Sequence, residues 1–201
     1  MKILLAVPTF ESITPDTFKS LWDMDKAGHE VIFETVRGYD CATARNKIAQ
    51  KAIDIGADYV LMVDSDMVIP ADTLVNFLDE PVPVCIGYCP RRSNHDMSAI
   101  YKMYQQNGVP HFDYDDPYMM EELREAQETR LRIHGGGMAC SLIATDVFRR
   151  LEYPWFDWVN YKNKNVLSED LYFCEQCKRA GIPVLVDTRV SCGHILKNTY
   201  Y

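Results

Sequence analysis

The chain has no apolar run long enough for a membrane span or a signal-peptide core, because Ile3-Leu4-Leu5-Ala6-Val7 is cut short by Pro8. It also has no excess of positive charge. Lys and Arg number 21 against 29 Asp and Glu, a formal charge of -8, which argues against a surface built for non-specific nucleic-acid binding. An anionic substrate would therefore need a bound cation or a few placed arginines. The seven cysteines are odd in number and follow no secretory leader, so they read as reduced thiols of a cytoplasmic protein rather than a disulfide framework. Internal repeats and low-complexity linkers are absent. Gly135-Gly136-Gly137 lacks the G-x-G-x-x-G spacing and precedes a strand, which excludes a dinucleotide fingerprint.

What is present suits one α/β domain with a mostly parallel central sheet flanked by helices. The 201 residues are enough to bury a substantial core. Ile3 to Val7, Glu30 to Val36, Tyr59 to Val63 and Val82 to Tyr88 read as strands. Between them lie helical stretches: one opened by Thr14-Pro15 and closed at Gly28, an amphipathic one from Cys41 to Ile55, and a short one from Pro70 to Leu78. This order predicts parallel strands with right-handed crossovers, and ligands then bind beyond the carboxyl ends of the strands.

From Arg91 to Ile133 the pattern breaks into a polar, aromatic-rich insertion with Tyr101, Tyr104, Tyr114 and Tyr118. Its stretch His111 to Asp116 lacks the glycine and distant glutamate of a calcium loop. Glu121 to Arg132 is predicted to be an exposed, charged helix. Order resumes with a strand at Met138 to Ile143, a helix capped by Thr145, a helix from Ser168 to Ala180, and two short strands at Val184 to Val186 and Val190 to Cys192. Three segments follow within the single 1–201 domain: 1–90, the insertion 91–133, and 134–201.

The pattern richest in chemistry is Asp64-Ser65-Asp66, two carboxylates at alternate positions just after a buried strand. Such a strand end can hold a hard divalent cation with positions open to phosphate oxygens, although an isolated D-x-D is also ordinary turn chemistry. Cys174-x-x-Cys177 with Cys192-x-His194 has zinc-ligand types, but the first two fall in a helical segment without a knuckle glycine and read as buried cysteines.

Taken together, Ala42-Thr43-Ala44-Arg45-Asn46 through Val63-Asp64-Ser65-Asp66, then Gly135 to Cys140, Ser168-Glu169-Asp170 and Ala180-Gly181-Ile182-Pro183 to His194, resemble the GT-A glycosyltransferases, family 2-like members in particular. The resemblance spans most of the chain. It implies a nucleoside diphosphate-sugar donor on segment 1–90 and a carbohydrate or other hydroxyl acceptor on segment 134–201. Pro8, Thr9, Arg45, Asp64 and Ser65 would meet the donor nucleotide, with Arg37, Tyr39 and Asp40 near the base. Asp66, Asp64 and His194 would hold Mn2+ or Mg2+, directly or through water. Asp170 would act as general base, oriented by Glu169. The three glycines would let backbone approach the donor sugar, and Trp155, Phe156 and Trp158 either stack on the acceptor or fill the core. Only Ile195 to Tyr201 follow His194, so acceptor contacts are expected from the insertion.

Two other readings stand beside this one. A nucleotidyltransferase also uses paired carboxylates on an α/β sheet, but its glycine-rich basic loop is replaced here by Pro8-Thr9-Phe10-Glu11. A catalytically silent nucleotide- or sugar-binding module would carry the same binding residues.

Overall fold

Alternation along the buried strands sets the layers. Ile3, Leu5, Val7, Leu61 and Val63 pack on one face of a sheet, while Leu4, Ala6, Val60 and Met62 pack on the other, giving two apolar clusters separated by that sheet. Each buried Val, Leu, Ile or Met side chain among them stabilises the fold by about 1.5–3 kcal/mol. The computed structural model describes residues 1–103, 116–160 and 166–195, together with the backbone of Gln105–Gln106 and Val109–Pro110. Tyr104, Tyr114 and the stretch His111 to Asp115 lie outside the described residues.

The first half runs β1 (Lys2–Thr9), α1 (Pro15–Asp23), β2 (Glu30–Arg37), α2 (Cys41–Asp54), β3 (Tyr59–Val63), β4 (Met67–Val68), α3 (Thr73–Leu78) and β5 (Val84–Tyr88). Then come β6 (Met97–Tyr101), β7 (Gln105–Gln106), β8 (Val109–Pro110), β9 (Pro117–Met119), α4 (Met120–Arg124), β10 (Arg130–Arg132) and β11 (Gly135–Gly136). The rest comprises β12 (Cys140–Ala144), α5 (Thr145–Arg150), β13 (Val159–Asn160), β14 (Val166–Leu167), α6 (Glu169–Arg179), β15 (Val184–Ser191) and β16 (Gly193–His194).

The central sheet has the order β10-β15-β5-β12-β3-β1-β2. Strands β1, β2, β3, β5 and β15 run one way, and β10 and β12 run against them, so the sheet is mainly parallel. Because β1 lies between β2 and β3, α2 crosses back over the sheet and starts at its carboxyl rim. Helix α6, which leads into the parallel strand β15, likewise runs against the strands with its amino terminus at that rim. Both helices therefore point amides and the positive end of their dipoles toward the end of β3 that carries Asp64.

The second half departs from the sequence expectations in three places. Glu121 to Arg132 is not one exposed helix: α4 stops at Arg124, and β10 joins the central sheet. The reason is charge pairing that no local pattern reveals, since Arg130 reaches the fully buried Asp187 and also Asp79, 2.6 Å away. Arg189 closes this group with contacts of 2.7 Å to Asp187 and 2.5 Å to Asp79. Val184 to Ser191 is one strand rather than two. Finally, part of the insertion is folded, because β6 sits between β11 and β9 in a three-stranded sheet.

Candidate functional site

The loop after β3 carries the two acidic side chains to the carboxyl rim. Its backbone is fixed on several sides: Asp64 N–H donates to Ala139 O at 2.8 Å, Met67 N–H to Asp64 O at 3.1 Å, and Thr14 N–H to Ser65 O at 3.0 Å. Immediately after it, β4 pairs with β16, setting His194 opposite Met67, and Ile195 N–H donates to Asp66 O at 2.9 Å. Residues 128 positions apart (194 - 66) thus share a corner through a two-residue ladder.

Behind that corner lies Arg45, in the second turn of α2 and only 1 % exposed. Its Nη2 is 2.9 Å from Asp64 Oδ1, and its Nη1 is 2.5 Å from Glu169 Oε1 and 3.1 Å from Asp170 Oδ1. One planar guanidinium therefore holds carboxylates from the β3 loop and from the first turn of α6, the geometry a five-donor fork suits and an ammonium does not. Its neighbour Asn46 faces another way, donating to Phe156 O at 2.7 Å and accepting from Trp155 N–H at 3.0 Å. The Arg-Asn pair thereby ties the start of α2 to two later parts of the chain.

These contacts also set the protonation states. Burial pushes the Glu169 carboxyl up to about 7, the Asp170 charge adds to this, and Arg45 opposes it. Burial likewise raises Asp64, with Arg45 pulling down. For Arg45 burial works against the charge, but Asp170, Asp64 and Glu169 together outweigh it and raise the pKa further. The cluster is mutually dependent: the arginine stays charged because of the acids, and the acids tolerate burial because of the arginine.

At the outer corner, the Arg92 guanidinium pairs through Nη2 with Asp66 Oδ2 and donates from Nε to His194 Nε2 at 2.9 Å. His194 Nδ1 is 3.1 Å from Pro90 O. An arginine cannot accept, so His194 Nε2 must carry the lone pair and Nδ1 the proton that Pro90 O receives. This is the tautomer of a metal-ligating imidazole, oriented by a carbonyl behind it. Among the described residues no group of three or more His, Cys, Asp or Glu is arranged to hold a metal ion by itself. Asp66 Oδ2 and His194 Nε2 nonetheless lie 3.5 Å apart. Hard cations that act on phosphates are held by one or two protein carboxylates, with water and phosphate oxygens completing the shell; Asp66 supplies such a carboxylate, and His194 Nε2 is a second donor atom beside it.

Elsewhere on the rim, Pro8 and Thr9 end β1 as buried residues, and Thr9 Oγ1 donates to Ser12 O at 2.7 Å. Asp40 caps α2, accepting from Thr43 N–H at 3.0 Å; Arg37 and Tyr39 are exposed, with Lys47 over the Tyr39 ring. One expectation needs correcting. Gly135–Gly136 pairs with β6, and a Cβ on Gly136 would fall 2.5 Å from Ile86 Cδ1, so this glycine serves close packing inside the fold. Gly137 is the one that lies beside the site, where an added Cβ would be 3.8 Å from Asp170 Oδ2. Trp155 and Phe156 are core residues, leaving Trp158, 49 % exposed, as the member of that trio open to a ligand.

Neither a family model nor a curated protein sequence matches the chain. Solved structures do. The chain is similar to A197 from STIV (TM-score 0.65, 14 % identity, 98 % of this chain and 87 % of that one). It is also similar to GalNAc-T7, crystallised with UDP, GalNAc and Mn2+ (TM-score 0.60, 11 % identity, 96 % of this chain but 44 % of that one). A third similar structure is the catalytic domain of Drosophila beta1,4galactosyltransferase 7 in complex with xylobiose (TM-score 0.53, 16 % identity, 98 % and 71 %). The fold is GT-A. On a GT-A fold the rim just described, at the carboxyl ends of β1 and β3, is where a mainly parallel sheet offers a crevice to ligands.

Within this GT-A fold the sequence did not single out Arg92 or the Pro90 carbonyl, since both lie in the insertion and its approach and act only through residues distant in the chain. The sole local hint was a cation, Arg91-Arg92, following a strand that ends at the rim. The cysteine spacing leads elsewhere. Cys174 and Cys177 belong to one apolar cluster and Cys192 to the other, so the sheet separates them and they do not form a zinc site.

Proposed function

We propose that the protein is a metal-dependent glycosyltransferase that moves a sugar from a nucleoside diphosphate donor to a hydroxyl acceptor. The observation that carries this reading is the convergence of Asp66, His194 and the Arg45-bound Asp64, Glu169 and Asp170 on one rim, from four separate parts of the chain. Asp66 and His194, with Asp64 behind them, would hold Mn2+ or Mg2+, which when bound supplies Lewis acidity to the departing diphosphate. Segment 1–90 serves the donor, with Pro8, Thr9 and Ser65 lining the nucleotide side. The solved neighbours support this assignment, since the Drosophila galactosyltransferase has been crystallised with manganese, UDP-Gal and xylobiose.

Asp170 is the base. Its Oδ1 is buried against Arg45, leaving Oδ2, on the side of Gly137, to take the acceptor proton as the acceptor oxygen attacks the anomeric carbon. Arg45 and the first turn of α6 hold the carboxylate in place at the rim. Glu169, held by the same guanidinium, fixes the start of α6 and so the aim of Asp170. Among the described residues no helix is long and apolar enough to cross a membrane, and all seven cysteines are free, which suits a reducing, cytoplasmic setting.

The test is incubation with a panel of nucleoside diphosphate-sugars and Mn2+, following release of nucleoside diphosphate. The account expects release from one donor class, quickened by an added hydroxyl acceptor. Binding without any release would favour the silent module, and release of pyrophosphate from a nucleoside triphosphate would favour a nucleotidyltransferase.

A further inference from the structure

The outer corner of the rim is closed by a side chain rather than open to solvent. Arg92 pairs with Asp66 Oδ2 and donates to His194 Nε2, the two atoms on which the proposed function relies for a divalent cation. The three groups differ in how firmly they are held. Asp66 and His194 have side chains 18 % and 11 % exposed and are locked by the β4–β16 ladder and the Ile195 to Asp66 hydrogen bond. The Arg92 side chain is 68 % exposed and reaches the corner on its own flexible stem. Charge balance points the same way. Arg45 serves Asp64, Glu169 and Asp170 and does not contact Asp66, so the cation paired with Asp66 is Arg92.

We propose that Arg92 is a tethered counter-cation of this corner, which a divalent ion must displace from Asp66 and His194 in order to bind. The inference rests on the metal-dependent reading above. One imidazole lone pair cannot both accept the Arg92 Nε–H and bind a metal, and two cations on one carboxylate repel each other, so the occupants exclude one another. Because the guanidinium is largely solvated, its hold is modest, and its removal strengthens metal binding by a factor of about three to ten rather than a thousand.

The experiment titrates Mn2+ alone into the purified protein, with free Mn2+ read by electron paramagnetic resonance. It compares the unaltered protein with Arg92→Ala, Arg92→Lys, Asp66→Ala and the Arg92→Ala/Asp66→Ala pair, at low and moderate salt. An exposed side chain can be removed without risk to folding, and a thermal melt without metal verifies this. The expected result is tighter Mn2+ binding in Arg92→Ala by about threefold to tenfold, less so in Arg92→Lys, with the gain smaller at higher salt and lost in the double variant. Equal or weaker binding in Arg92→Ala, while Asp66→Ala loses the ion, overturns the role of Arg92 and leaves the metal site standing. Mn2+ binding unchanged by Asp66→Ala overturns both.

Discussion

Arg45 Nη1 lies 2.5 Å from Glu169 Oε1, joining helices α2 and α6 across 124 positions of sequence. The pair sits under the rim with the arginine 1 % and the glutamate 5 % exposed, so it acts in a medium of low dielectric, where a lone charge is costly.

Removing the arginine should therefore cost more than removing a surface ion pair. Arg45→Met leaves three carboxylates without their cation, and the expected loss in urea denaturation is about 3–5 kcal/mol. Arg45→Lys retains the charge but not the fork, and should fall between the two. A loss below about 1 kcal/mol in Arg45→Met, the value of an exposed pair, would contradict the account of this cluster.

Glu169 gives the cluster a pH signature. Burial raises its folded-state pKa from the model-compound value of 4.5 to about 7, so between those pH values the folded protein binds more protons than the unfolded chain. Stability from this residue is then greatest below pH 4.5 and falls as pH rises toward 7, opposite in sign to an exposed ion-paired acid. Asp64, also raised by burial, adds to the same trend. Glu169→Gln should flatten the stability profile over this window in denaturation curves taken from pH 5 to 8. An unaltered slope in the variant would show that another group is responsible.

Asp170→Asn separates chemistry from binding. The amide keeps the shape of the carboxylate but not its proton affinity, so sugar transfer per folded molecule should fall by roughly two to four orders of magnitude while donor affinity persists. Near-normal transfer would sink the base assignment and favour a retaining mechanism.

Gly136→Ala tests the packing reading of the glycine run. Its added Cβ meets Ile86 Cδ1 at 2.5 Å and Ile100 Cδ1 at 2.8 Å, both in the core, so a destabilisation of about 1–3 kcal/mol is expected. If the variant kept full stability and lost only donor binding, Gly136 would belong to the sugar site after all.

Much of the amino-terminal half is legible in the sequence because its strands and helices are specified locally. Buried runs such as Tyr59 to Val63 end where expected, and α2 covers nearly all of the expected Cys41 to Ile55, whereas its Asp40 cap is seen only in the structure. The strand order is not legible, since β12 enters between β3 and β5 by long-range pairing of Cys140 with Val63 and Ser141 with Ile86. The same holds for β10, whose charged residues look solvated until Asp187 is seen beneath them. In the site, the resemblance put His194 with Asp66, and they lie 3.5 Å apart, but the partners of Arg45 were not legible. Arg45 was expected on the nucleotide, and its guanidinium is instead engaged with three acids that no spacing connects to it. The presence of His194 near Asp66 depends on β4 and β16, two-residue strands too short for any periodicity to register.

The proposed function requires that Asp66 and His194 bind a divalent ion that in turn binds the donor diphosphate. It is tested most directly by the affinity of a panel of nucleoside diphosphates for the unaltered protein and for Asp66→Ala, each with Mn2+ and with a chelator. The account predicts that Mn2+ strengthens binding to the unaltered protein, and that Asp66→Ala abolishes this gain while leaving the metal-free affinity nearly the same. Equal losses in Asp66→Ala with and without Mn2+ would contradict it.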